Sequence, residues 1–307
     1  MACDNWLTKP ENDWKAFVAT IDSMENDLTL RPLDTQDYDR LTEFLQGKVR
    51  IHRHLDWHPP IDWLGKEPFW VLEQKGVMQA VLAMPDDPPG AYWIRLFAVS
   101  SEMDDRSTWV KLFSQALEQV RQSPSAIIGA LAYEEWFNQL LREEGWLEHQ
   151  RVVLLKWHPQ TIDYREPATP YLLRPMTNAD LETVSQIDQV SFEPLWQQSL
   201  DATRRSYDQC SYCTVVECKD EVIAYQISTS ASFNAHLARL AVLPEKRRLG
   251  IGSALVMDML KYYRKPWIRE VTVNTQQDNL DSLKLYGSIG FEKTGESFPI
   301  YVYGGNG

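Results

Sequence analysis

The chain has 307 residues, 44% of them hydrophobic and 24% charged, with 31 Lys and Arg against 43 Asp and Glu for a net charge of −12. That length favours two domains, and the composition is that of a globular chain with apolar material for two cores. The acidic balance speaks against a nucleic-acid surface and suits an amine-bearing partner, and no apolar run is long enough to span a membrane.

Residues 1–27 are acidic and lack the apolar stretch of a signal peptide, so a cytoplasmic protein is expected. Leu28 to Arg31 reads as an apolar strand leading into a helix over Asp37–Leu45. Next come His52, His54 and His58 among Trp57, Pro59, Pro60 and Trp63, without regular period. An aromatic-rich loop packed on the first domain is expected there rather than a metal site. Phe69–Gln74 and Val77–Met84, separated by a short turn containing Gly76, predict a hairpin.

The second half repeats the first. Leu30-Arg31-Pro32 with Asp37 returns as Leu173-Arg174-Pro175 with Asp180, 143 positions later. Ala98-Val99 returns as Ala241-Val242 at the same spacing, and Gly145-Trp146 returns as Gly290-Phe291 at 145. Ordered anchors at nearly constant spacing indicate an internal duplication. The joint falls around His158 to Pro170, a polar run with three prolines, which gives domains at 1–160 and 161–307. In the second copy the strand near Leu172 leads to a helix over Ala179–Asp188, then a hairpin of Ser211–Cys218 with Val222–Ser228. A loop-helix, a further strand, a helix and a final pair of strands complete each copy. This mixture is α+β, or mixed α/β.

Of the four cysteines (Cys3, Cys210, Cys213 and Cys218), Cys210-x-x-Cys213 has redox or zinc spacing. Neither a second pair nor a nearby histidine completes a tetrahedral site, so small buried thiols and no metal are expected.

The stretch from Leu237 to Phe291 carries the chemistry. An apolar strand ending at Val242 runs into Leu-Pro-Glu-Lys-Arg-Arg-Leu-Gly250-Ile-Gly252, followed by a helix with Ala254, Leu255, Met257, Met259 and Leu260 on its apolar side. Strand, glycine loop and helix leave the first N–H groups of the helix free to meet an anion. Gly250 and Gly252 permit close approach, and Arg247 and Arg248 supply charge suited to phosphate. Neither the Gly-Lys-Ser/Thr of a Walker loop nor the third glycine of a dinucleotide fold is present. Downstream, Val271-Thr-Val273 is a strand, and Asn279 to Tyr286 is a helix stopped at Gly290-Phe291.

Arg247-x-x-Gly250-x-Gly252 and Asn279-x-x-Ser282-x-x-Leu285-Tyr286-x-x-x-Gly290-Phe291 resemble the two motifs of the GNAT superfamily of acyl-CoA-dependent N-acyltransferases, with Ser282 where that family has alanine. The resemblance implies two tandem GNAT-like domains, each a mixed, V-splayed sheet flanked by helices, with acetyl-CoA as co-substrate and no metal. It places CoA on Leu240, Ala241, Val242, Arg247, Arg248, Gly250, Ile251, Gly252, Ser253 and Asn279, and makes Tyr286 the acid that protonates the departing thiolate. The second copy is most similar to the ribosomal-protein-alanine acetyltransferases. By that likeness Phe192, Glu193 and Trp196 wall the acceptor cleft; Tyr301 and Tyr303, on the predicted last strand, are expected to face the same cleft. Those relatives carry a glutamate base where this chain has Asn274. Deprotonating a lysine at pH 7 costs about 4–5 kcal/mol but an α-amine only about 1–1.5, so a weakly basic amine is the easier acceptor. Glu193, Glu217 or a water chain remain as bases.

The first copy has Asp104, Ser107 and Trp109 opposite Arg247, Gly250 and Gly252, and Glu134 and Leu141 opposite Asn279 and Tyr286. Its acidic loop and Trp109 would repel and block a pyrophosphate. Residues 1–160 are therefore expected to be a degenerate copy that does not bind CoA in the usual way and either serves stability or walls or gates the acceptor cleft. The expected activity is N-acetyl transfer to a peptide or small-molecule amine. A small-molecule acyltransferase similar to mycothiol synthase, or a CoA-binding regulatory module without turnover, are the alternatives, and a homodimer is compatible with each.

Overall fold

The computed structural model describes residues 28–123, 126–159 and 171–304. Residues 1–27, Cys3 among them, and most of the proline-rich joint lie outside the described residues. The first half contains β1 (Leu28–Pro32), α1 (Tyr38–Gln46), β2 (Val49–Arg53), β3 (Phe69–Gln74), β4 (Val77–Ala83), β5 (Ala91–Trp93), β6 (Leu96–Ser100), α2 (Asp105–Val120), β7 (Ile127–Leu131), α3 (Glu135–Glu143) and β8 (Leu147–Trp157). The second contains β9 (Leu172–Pro175), α4 (Leu181–Ser191), α5 (Leu200–Gln209), β10 (Tyr212–Cys218), β11 (Glu221–Ala231), β12 (Asn234–Val242), α6 (Ile251–Tyr263), β13 (Glu270–Gln276), α7 (Leu280–Ile289) and β14 (Glu292–Val302).

The duplication is visible atom by atom. Arg31 grips Asp37 at 2.6 and 2.7 Å and Glu73 at 2.8 Å; Arg174 grips Asp180 twice at 2.8 Å and Glu217 at 2.7 Å. Both aspartates also accept backbone N–H groups at the start of a helical turn, which is why the Arg-Pro and Asp anchors recur in both halves. The parallel pairings repeat too: Ala91 lies opposite Ile127, and Asn234 lies opposite Glu270. Both hairpins form, β3 with β4 and β10 with β11.

The strands make a five-stranded sheet, β1-β3-β4-β6-β2, and a nine-stranded sheet, β5-β7-β14-β8-β13-β12-β11-β10-β9. Each half ends in one eleven-residue strand, β8 or β14, rather than the expected pair of strands. These two strands are exchanged. β8, from the first half, pairs with β13 from Val271–Trp157 to Gln276–Val152. β14, from the second half, pairs with β7 of the first through Ile300–Leu131, Tyr301–Ala130 and Val302–Gly129. The two exchanged strands also run antiparallel to each other down the middle of the sheet. A cut at 160 therefore divides the repeat in the chain but not the sheets.

One core packs α2 and α3 onto the first half with Trp109, Phe113, Phe137 and Trp146, and a second packs α6 and α7 onto β12 and β13. His52 is buried, stacked on Phe137 and bonded to Glu134 at 3.0 Å; His58 is stacked on Trp63. Among the described residues no group of His, Cys, Asp and Glu is arranged to hold a metal. Cys210 and Cys213, expected as free thiols, are joined as a disulfide where α5 meets β10, because the turn between the elements brings the two side chains together. No helix among the described residues is long and apolar enough to cross a membrane.

Candidate functional site

β12 is paired with β11 along its whole length but with β13 only from Asn234 to Leu237. A bulge after Leu237 ends the second ladder, and the edge from Leu240 to Val242 opens into a cleft. The N–H of Leu243 bonds to Ile223, so by strand alternation the N–H groups of Leu240 and Val242 point to the open side. This is a strand edge ready to accept an extended ligand.

The loop that follows turns through two left-handed residues, Arg248 (φ 63°) and Gly250 (φ 79°), into α6. The first helical bond of α6 runs from Ala254 to Gly250, so the N–H groups of Ile251, Gly252 and Ser253 have no helical carbonyl. Their partial positive charge faces the cleft, with Lys246, Arg247 and Arg248 beside it. A Cβ on Gly252 would stand 3.3 Å from Leu285 and 3.9 Å from Val242, so this glycine is what lets α6, α7 and β12 converge on the cleft. The Arg247 side chain ties the loop down by donating to the carbonyls of Val242 at 3.2 Å and Ser191 at 3.1 Å.

The cleft encloses about 950 Å³ and brings together Leu240, Ala241, Val242, Arg247, Arg248, Gly250, Ile251, Gly252, Ser253 and Asn279 with Phe192, Glu193 and Trp196. Asn279 caps α7 by accepting the Ser282 N–H at 3.1 Å. Gln150, Gln276, Asp278 and Lys284 line the same space and were not picked out in the sequence. Gln150 had no readable signal, since it lies on a strand of the other half.

Tyr286 is buried on α7, its ring 5.7 Å from that of Phe291, and it is not among the residues lining the cleft. Burial holds its phenol well above the ordinary tyrosine pKa, so it keeps its proton through the neutral range. Tyr301 does not face the cleft, contrary to expectation. Its segment of β14 pairs with β7, which turns the ring into the first core, where the hydroxyl donates to Asn138 at 2.6 Å and accepts from Arg142 at 2.8 Å. Tyr303 likewise packs on Phe113 and Trp146. Glu217 is held by Arg174, which leaves Glu193 as the expected carboxylate that lines the cleft.

The segment from Ser191 to Gln198, which lines one side of the cleft, rests on a buried ionic cluster. Asp188 accepts Arg239 at 2.7 and 2.9 Å, the Gln198 N–H at 2.7 Å and the Tyr225 hydroxyl. Arg239 also donates to the Trp196 carbonyl at 2.6 Å and stacks on Phe192, 3.7 Å from the ring centre.

In the first copy every corresponding feature is filled by protein. β2 pairs with β6 through Arg50–Val99, Ile51–Ala98 and His52–Phe97, on the edge that corresponds to Leu240–Val242. Asp104 caps α2 by accepting the Ser107 N–H at 2.8 Å, and Arg50 holds Asp105 at 2.6 Å. Trp109, in the place of Gly252, is fully buried.

Two copies of a splayed mixed sheet, one with an open strand edge beside a free helix N-terminus, define a tandem GNAT fold. Residues 181–291 match the model of the Acetyltransferase (GNAT) family. Among curated proteins, human N-acetyltransferase 8B is 31% identical over 105 residues, 32% of this chain and 46% of that one. An uncharacterized N-acetyltransferase of Methanocaldococcus jannaschii is 33% identical over 93 residues, 30% of this chain and 58% of its own. The chain thus matches less than two thirds of either relative's length. Among solved structures, a tandem GNAT protein from the clavulanic acid biosynthesis pathway superposes with a TM-score of 0.59 at 14% identity, covering 90% of this chain and 98% of its own. A GCN5-related N-acetyltransferase from Anabaena variabilis gives 0.64 at 12% identity, covering 90% and 72%. At such identities these two speak for the fold alone.

Proposed function

We propose that the second half transfers an acetyl group from acetyl-CoA to a primary amine by direct attack, and that the first half binds no CoA. The observation that carries this is the junction of the open β12 edge with the unpaired N–H groups of α6 in one cleft. An extended pantetheine arm adds to the edge at Leu240 and Val242 as a further strand would, and the pyrophosphate meets Ile251, Gly252 and Ser253. Backbone donors at the same edge polarise the thioester carbonyl. The amine nitrogen attacks that carbon, the C–S bond breaks, and the nitrogen proton leaves through Glu193 or water.

The motif position of Tyr286 makes it the donor to the departing sulfur, a role that requires its phenol to turn from the core toward the cleft when the thioester binds. Even for an ordinary phenol, full transfer to a thiolate is uphill by about 2 kcal/mol, so hydrogen bonding carries most of its effect. A peptide α-amine or a small amine of low basicity is the favoured acceptor, because no dedicated base stands at Asn274.

One observation favours a second reading, a CoA-binding module without turnover: the Tyr286 ring is packed away from the cleft. Thiol release from acetyl-CoA, measured across a panel of peptides and small amines with mass detection of the product, separates the two. Amine-dependent thiol release with a product 42 mass units heavier (about one acetyl group in place of hydrogen) supports the enzyme. Tight acetyl-CoA binding without release on any amine sinks it.

A further inference from the structure

We infer that the first half of the chain is the acceptor-reading half of the site, with Gln150 as a specificity-determining residue and Trp93 as a positioning residue for the wall it faces. The inference rests on the acetyl-transfer reading above.

The wall at Leu195 and Trp196 belongs to the second half but hangs from the first. The Trp93 indole donates to the Leu195 carbonyl at 2.8 Å in a buried bond, and its ring meets the Trp196 ring edge-on at 5.4 Å. Leu195 seats on Gly129 of β7 so closely that a Cβ there would stand 2.9 Å from Leu195 Cδ1. The Trp196 indole in turn donates to Gln150 Oε1 at 3.0 Å. Trp196 is thus held between Arg239 of its own half and two residues of the other.

Gln150 does more than hold the wall. It lines the cleft, and strand exchange puts it beside β13, where Gln276 lies opposite Val152. Residues 150, 152 and 276 share one face of the sheet by alternation. Trp196 uses the Gln150 oxygen, whereas its Nε2 has no hydrogen-bond partner among those of the described residues and remains a donor for the cleft. Gln276 adds a second amide on the same floor. The oxygens of both amides are engaged, Gln150 Oε1 by Trp196 and Gln276 Oε1 by Thr275 and Asn279, so the N–H groups are what they present; these complement a carbonyl or hydroxyl oxygen beside the reacting amine, as in a peptide α-amine, which a plain alkylamine lacks. A site built to hydrogen-bond its substrate discriminates strongly against an analogue without the polar group.

The experiment uses the full chain as wild type, Gln150→Leu, Gln150→Glu and Trp93→Phe. Acetyl-CoA binding is followed by calorimetry, and acceptor kcat and KM are measured with alanyl-peptide amides, Nα-acetyl-lysine amide and propylamine. The expected result for Gln150→Leu is a loss of about 10-fold in kcat/KM for the alanyl peptides, mostly in KM, and a clearly smaller loss for propylamine, which meets the wall but has no polar group for the Gln150 amide. Gln150→Glu, which keeps the acceptor oxygen for Trp196 but removes the donor, should show the same loss. Trp93→Phe should raise acceptor KM while acetyl-CoA binding stays as in the wild type. Unchanged acceptor KM in both Gln150 variants, with a wild type that acetylates, overturns this inference alone. A wild type that binds acetyl-CoA and acetylates no amine overturns the parent reading and this inference with it.

Discussion

Arg239 grips Asp188 by two hydrogen bonds of 2.7 and 2.9 Å, joining the strand that carries the open edge to the helix that leads into the cleft-lining segment at Phe192 to Trp196. Asp188 is fully buried and Arg239 nearly so. Removing one member of such a pair leaves an uncompensated buried charge, which costs about 3–5 kcal/mol. Asp188→Ala should therefore lower the urea midpoint by that equivalent, whereas an exposed control such as Glu182→Ala should shift it by less than about 0.5 kcal/mol.

A single acetyl-CoA should bind per chain. Calorimetric titration of the wild type should give a stoichiometry of one, and Gly252→Val should abolish the heat by driving a side chain into Leu285 and Val242. Trp109→Gly should lose about 3–5 kcal/mol of stability without creating a second site, because β2 still occupies the corresponding edge. Two sites in the wild type would contradict the reading of the first half.

Tyr286→Phe removes one buried hydroxyl and little volume. It should lower kcat by about 100-fold while leaving acetyl-CoA affinity within about 2-fold, the pattern of an interaction made only as the C–S bond breaks. Since burial raises the phenol's pKa, the wild type should show no alkaline fall in kcat from this group below pH 9. A mutant with full kcat would remove Tyr286 from the chemistry.

The repeated arginine–aspartate clasps set an acid limit on stability. The bond from Arg174 is the main cause holding the Asp180 carboxyl down at about 2 against an ordinary 3.8, and Arg31 lowers Asp37 in the same direction. A depressed carboxylate contributes stability above its unfolded pKa and loses it as the pH falls through the folded one. The contribution of the clasps should thus be level above about pH 5 and should fall between pH 4 and pH 2, with Asp180 accounting for about 1–2 kcal/mol. Asp180→Asn should flatten that slope in urea titrations at pH 2.5 and 5.

Residues 161–307 expressed alone should fail to give a cooperative unfolding transition. They lack β8, so six paired residues of β13 would be exposed as an open edge. Co-expression with residues 1–160 should restore a stable complex that gel filtration recovers as one species. A monomeric, cooperatively folded fragment would refute the exchange.

What the sequence by itself determined is what depends on near neighbours. The glycine loop, the cap at Asn279, the stop at Gly290, both hairpins and the Arg–Asp clasps lie within short stretches, where spacing and backbone freedom specify geometry. That Phe192, Glu193 and Trp196 line the cleft follows from their place directly after the end of α4. Tertiary structure alone decided which strand lies beside which. Alternation along a strand states which side chains share a face but not whose backbone completes the ladder. The exchange of β8 and β14 therefore left no local trace. That exchange sent Tyr301 into the first core, carried Gln150 into the second half's cleft, and made one protein of two copies that the sequence presents as separable.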